Sequence, residues 1–199
     1  MKALLKLTAA IFLAASCSCA FHHMQTPKTL PPGKIEAGFA GMAALDPDIQ
    51  PYPGAWVRIG VLPRMDIGIH TMSYGAKIDV KYGFSEYVAI GIGGGYGTSI
   101  LAGGPGSIYT FESSIYGGYP TRLVTPYCVI RAAGLGTQGG VTGEGPSEDE
   151  LFPLITSVAG IKVHPIRFVS LYAELGGTFL FDEDVEPQLT GGIGLSLGY

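Results

Sequence analysis

The stretch MDIGIHTMSYGAKIDVKYGF, residues 65–84, decides the fold. Ile67 and Ile69, then Ile78, Val80 and Tyr82, fall on every second residue. Between them stand Asp66, His70, Lys77, Asp79 and Lys81. A period of two is the strand period, because successive side chains leave the backbone on opposite faces. The two runs are divided only by Ser73-Tyr74-Gly75, so they read as a hairpin with one apolar face and one charged face.

The same pattern continues in both directions. From Lys34 onward no helical period stands out, and ten alternating segments are broken by turn residues. They span 34–43, 55–62, 64–73, 76–83, 87–96, 107–118, 122–133, 153–164, 167–179 and 189–199. Most have the length of a membrane-crossing strand, ~9–11 residues, where soluble strands run ~5–6. Short and long connections alternate. Pro63, 84–86, 119–121 and 165–166 are short; 45–54, 97–106, 134–152 and 180–188 are long; the Tyr74-Gly75 turn is the exception. Short turns on one side and long loops on the other characterise a transmembrane barrel, and an even strand number returns both chain ends to the short-turn side.

One face of each strand carries no charge: Ile67 and Ile69; Ile78, Val80 and Tyr82; Val88, Ile90 and Ile92; Val124, Cys128 and Ile130; Ile155, Ala159, Ile161 and Val163; Val169, Leu171, Ala173 and Leu175; Ile193, Leu195 and Leu197. The other face carries Glu36, Arg58, Asp66, His70, Lys77, Asp79, Lys81, Glu112, Arg131, Lys162 and Glu174, with many glycines. In lipid every backbone polar group must pair internally, so strands close into a barrel. The expected fold is therefore all-β: a closed antiparallel up-and-down transmembrane β-barrel of about ten strands, with eight as the alternative. The uncharged face meets acyl chains and the charges line the lumen. Five acids and five bases balance there, which predicts a narrow network of paired charges. A one-residue slip of register would turn every charge outward. Aromatic residues gather near strand ends: Phe84, Tyr87, Tyr119, Phe168 and Tyr199 toward the short turns, Tyr52, Tyr74, Tyr96, Tyr109, Phe152, Phe179 and Phe181 toward the long loops.

Composition agrees. Charged residues make up 14% of the chain, against a usual ~25%, and there are 31 glycines among 199 residues. The formal net charge of −4 and the lack of a basic run give no reason to expect nucleic acid as a partner. Residues 1–20 read as a signal peptide: Lys2 and Lys6, an apolar run over 4–15, then small residues. Two processing sites are legible. Ala14-Ala15-Ser16-Cys17 resembles a lipoprotein signal with Cys17 lipidated; Ser18-Cys19-Ala20 fits ordinary cleavage before Phe21. Residues 21–33, with Pro27, Pro31 and Pro32, read as a Pro-rich periplasmic linker, leaving 34–199 as the barrel. Cys128, the one cysteine of the body, is read as a small apolar residue.

The last segment, Leu189-Thr-Gly-Gly-Ile-Gly-Leu-Ser-Leu-Gly-Tyr199, ends on an aromatic residue. It resembles the C-terminal signal read by the outer-membrane barrel assembly machinery. Leu62-Pro-Arg-Met-Asp-Ile-Gly and Gly75-Ala-Lys-Ile-Asp-Val-Lys-Tyr look like a short turn followed by a strand. Over 34–199 the chain is thus similar to the small bacterial outer-membrane β-barrel proteins. That resemblance implies outer-membrane localisation, outer-membrane lipid around the barrel, and the assembly machinery as a partner.

No enzyme, cofactor or metal site is expected. Gly91-Ile-Gly-Gly-Gly-Tyr alternates within a strand and lacks the strand-to-helix context of a dinucleotide loop. The acidic tip Pro146-Ser-Glu-Asp-Glu lacks the spaced oxygens of a calcium site. His22 and His23 belong to the linker, and His164 reads as a polar strand end. His70 with Asp66 is the only serious catalytic pair, and reads better as part of the lumen network. Three functions remain: a structural or surface-exposed membrane barrel, a small-solute pore, and a soluble lipid-anchored binding barrel of lipocalin type.

Overall fold

The computed structural model describes residues 24–44, 51–72, 75–99, 106–138, 141–142, 145–146, 150–181 and 187–198. Its regular elements there are β1 (Ile35–Ala44), β2 (Pro51–Leu62), β3 (Met65–Met72), β4 (Gly75–Gly83), β5 (Val88–Ser99), β6 (Gly106–Gly118), β7 (Val124–Gln138), β8 (Val141–Thr142), β9 (Gly145–Pro146), β10 (Glu150–Ile166), β11 (Val169–Leu180) and β12 (Gln188–Gly198). Ten of these close into one antiparallel barrel in the order β1-β2-β3-β4-β5-β6-β7-β10-β11-β12, with β12 back against β1. The short β8 and β9 pair with each other outside the ring.

The opening hairpin pairs as its alternation requires. Asp66 lies opposite Lys81, Ile67 opposite Val80 and Ile69 opposite Ile78. Like faces therefore meet across the seam. The closing seam runs from Glu36 beside Gly198 to Ala44 beside Thr190. Pro165 sits at a shift of register, between Val163 and Ile166, and Pro63 lies in the turn just past the shift between Gly60 and Leu62. A residue without an N–H is tolerated there because the ladder is already interrupted.

The barrel is taller than the hydropathy pattern suggests. β2 begins at Pro51, not Ala55, and β7 and β10 run on to Gln138 and back to Glu150 through residues read as loop. Pro51 and Pro53 pair with β1 beyond the last β3 partner, where one side of β2 has no ladder to supply. In β7, Gly134 and Gly136 lie opposite Phe111 and Tyr109. Both rings lie across the neighbouring glycines, close enough that a β-carbon at either position would collide with them. Aromatic cover of this kind lets a glycine-rich stretch hold a ladder without any hydrophobic alternation.

Residues 24–33 depart from the linker reading. Met24, Gln25, Thr26, Pro27 and Leu30 are buried inside the barrel. Met24 packs at mid-height against β12, Leu30 reaches the short-turn end beside Asp66, and Pro32 bridges Gly60 at that rim. The segment forms no strand, the Pro32 bridge apart, and its main chain bonds the barrel wall at Thr26, Lys28 and Leu30.

Candidate functional site: the lumen

Period two fixes which side chains enter the lumen, and the strand stagger fixes which ones meet. All eleven residues of the predicted lumen set are buried: Glu36, Arg58, Asp66, His70, Lys77, Asp79, Lys81, Glu112, Arg131, Lys162 and Glu174. They gather into three groups. In the first, Arg58 bridges two carboxylates, 2.8 Å from Asp66 Oδ1 and 2.6 Å from Asp79 Oδ2. Lys81 Nζ lies 3.5 Å from the other oxygen of Asp66, and His70 Nε2 bonds Asp79 Oδ1. His70 thus engages Asp79 on β4, not Asp66 on its own strand. Four residues of strand separate His70 from Asp66, roughly 13 Å, whereas Asp79 sits beside Gly68, diagonal to His70 across the seam.

In the second group, Lys77 Nζ lies 2.7 Å from Glu112 Oε1, and Arg131 Nε lies 3.6 Å from the same oxygen. Arg131 Nε also donates to Ser114 Oγ at 3.1 Å. In the third, Glu36 accepts from Lys162 at 3.1 Å, from the Tyr172 hydroxyl at 2.5 Å and from Ser196 at 2.6 Å. Tyr127 donates to Glu174 at 2.5 Å.

Tyr116, Tyr127, Tyr172 and Trp56 are all buried in the lumen. Trp56 meets Tyr172 edge-on at 5.9 Å, and Lys81 lies 5.6 Å from the centre of the Tyr116 ring. The aromatic-belt reading did not place these residues, yet parity does. Tyr116 shares its face with Glu112, Tyr127 with Arg131, Tyr172 with Glu174 and Trp56 with Arg58.

A fourth contributor is residues 24–30. The Leu30 N–H donates to Asp66 Oδ2 at 3.0 Å, and Lys81 Nζ donates to the carbonyls of Thr26 at 2.9 Å and Lys28 at 3.4 Å. Gln25 Nε2 lies 3.3 Å from His70 Nε2. Two members of the first charge group therefore also bind main chain.

The outside is the inverse. Ile193 is 72% exposed, Ile92 65%, Ile115 59% and Ile130 57%, all in mid-strand. Cys128 also faces outward. Tyr119, Phe84 and Phe168 are exposed at the short turns, Tyr96 and Phe181 at the other end. Cys17, Tyr74, Tyr199 and the centre of the acidic 146–150 tip lie outside the described residues.

An apolar outer band, aromatic rims, a charged interior and a closed antiparallel ring define the class of transmembrane β-barrels, the inverse of a lipocalin-type barrel. No family model matches this chain, and no curated relative matches it. Solved barrels are similar to it. The N-terminal β-barrel domain of Pseudomonas aeruginosa OprF shares 14% identity, covering 84% of this chain and 98% of that chain, with a TM-score of 0.46. Neisserial surface protein A shares 13%, covering 83% and 96%, with a TM-score of 0.43. The outer membrane protease OmpT from Escherichia coli shares 8%, covering 87% and 100%, with a TM-score of 0.47. The reading of this chain stands on its own inside-out polarity.

Proposed function

We propose that the chain is an integral β-barrel of the bacterial outer membrane with a structural or surface-exposed role, its lumen held shut and not serving solute passage. The observation that carries this is the inversion of polarity: bulky apolar side chains exposed in mid-strand outside, eleven ionisable groups buried inside. A charge on the lipid face at mid-membrane costs ~2–4 kcal/mol, so this surface belongs in acyl chains. Ten strands enclose little more than the eight-strand barrels that side chains fill, and here paired charges together with residues 24–30 occupy that space. Among the described residues no ring of one sign lines the lumen, as an ion-selective pore would need. No catalytic role is assigned, since His70 is committed to Asp79 and Gln25 within the packed interior.

Outer-membrane lipid is the surrounding partner, and the assembly machinery would read the strand ending in Tyr199. Cys17 would carry the lipid anchor, and mass spectrometry of the mature protein should show an acylated Cys17; an unmodified start at Phe21 removes the anchor and leaves the barrel. The test of the barrel itself is extraction followed by planar-bilayer recording. The protein should need detergent, migrate anomalously on unheated gels, and give little or no conductance. Release into plain buffer would end the membrane reading, and large stable single-channel steps would replace the closed lumen with a pore.

A further inference from the structure

We propose that the short-turn half of the lumen is a binding site for a non-helical peptide segment, occupied by residues 24–30 of this same chain, and that emptying it opens a pore. This rests on the reading of the intact lumen as closed, and names the part of its filling that can leave. The segment is bound as a ligand would be. Main-chain groups of Thr26, Lys28 and Leu30 are met by Lys81 and Asp66, both buried wall residues. The wall is also hollowed where the segment passes. A β-carbon at Gly60 would lie 2.1 Å from the Pro31 carbonyl oxygen, one at Gly192 2.9 Å from Met24 Cε, and one at Gly118 3.0 Å from Pro27 Cδ.

These three glycines stand on β2, β12 and β6, so the hollow surrounds the segment and is not the property of one strand. A small cavity bounded by Met24, Gln25, Glu36, Arg58, Lys81 and Lys162 remains between segment and wall. The segment is a separate, non-strand element laid against the wall by a few polar bonds, not a strand of the sheet. Because its two carbonyls and one N–H are recognised as main chain, the site selects a peptide backbone bent at Pro27, with Met24, Pro27 and Leu30 supplying shape.

The test uses the full chain with residues 24–30 deleted, refolded in detergent and recorded in planar bilayers. The deletion variant is expected to show discrete conductance steps where the intact protein shows none. A synthetic peptide of residues 24–30, added on the short-turn side at millimolar concentration, should block at least half of that current, and a scrambled peptide should not. A folded deletion variant that stays closed overturns the proposal while leaving the closed-lumen reading intact. Conductance that the peptide does not block overturns the binding site. Conductance by the intact protein overturns the closed-lumen reading first. Should the deletion fail to fold, Gly60→Val carries the test, since its side chain meets main chain that cannot swing aside. Trypsin should then cut after Lys28 at least tenfold faster than in the unmutated barrel; equal rates overturn the proposal.

Discussion

Replacing Arg58 with alanine removes the one guanidinium that joins Asp66 to Asp79. Both carboxylates are almost wholly buried, so neither can turn to water when the cation is lost. Breaking a buried pair by deleting one partner costs ~3–5 kcal/mol, because a charge is stranded. Residual partners bring the expected loss toward the lower end. Asp66 keeps Lys81 at 3.5 Å and the Leu30 N–H at 3.0 Å, and Asp79 keeps His70. About 3 kcal/mol corresponds to a drop of more than a hundredfold in the folding constant. The chain has a single tryptophan, Trp56, two residues from Arg58 on the same lumen face. Its fluorescence during urea unfolding in micelles or vesicles reads the event directly. Adding Asp79→Asn to Arg58→Ala should cost less than the two single changes together, with a coupling of ~0.5–3 kcal/mol. If Arg58→Ala unfolds within ~0.5 kcal/mol of the unmutated barrel, or the pair proves additive, the lumen charges are not an interdependent network.

Arg131→Ala should destabilise the barrel by several-fold more than Lys34→Ala in the same assay, because Arg131 is buried beside Glu112 and Lys34 is half-buried at the rim. Ile193→Lys, on the most exposed mid-strand apolar position given above, should cost ~2–4 kcal/mol in vesicles, and Ile193→Ser clearly less; equal effects would remove lipid from that face.

The face assignments were legible in the sequence because period two belongs to the backbone itself. Once Ile67 and Ile69 point one way, Asp66 and His70 must point the other. Pairing within the lumen was not legible. Which acid meets which base depends on how far each strand is shifted along the ring, and composition carries no record of that shift. His70 finding Asp79 across a seam is one outcome, and Lys162 reaching Glu36 from β10 to β1 is another. The upper parts of β7 and β10 were hidden for a different reason. Gly134 and Gly136 present no side chain to alternate, and their cover comes from Phe111 and Tyr109 on the strand before. Residues 24–33 were read from their prolines as a linker, and proline content cannot say whether such a segment lies outside a barrel or within it.

The location of that segment constrains the order of folding. Nine of the ten seams join strands that follow one another around the chain, and only β1 with β12 joins its two ends. Successive hairpins can zip with modest loop-closure entropy, while the last seam must bring together residues such as Glu36 and Gly198. Residues 24–30 lie just ahead of β1 and end up enclosed, so they either dock on the open sheet before that final seam forms or enter afterwards through the short-turn end. The first route needs no end-on entry into a closed ring. On that route the rate of closure and the docking of a seven-residue stretch are tied, and slowing the second should leave open, edge-exposed sheets during biogenesis.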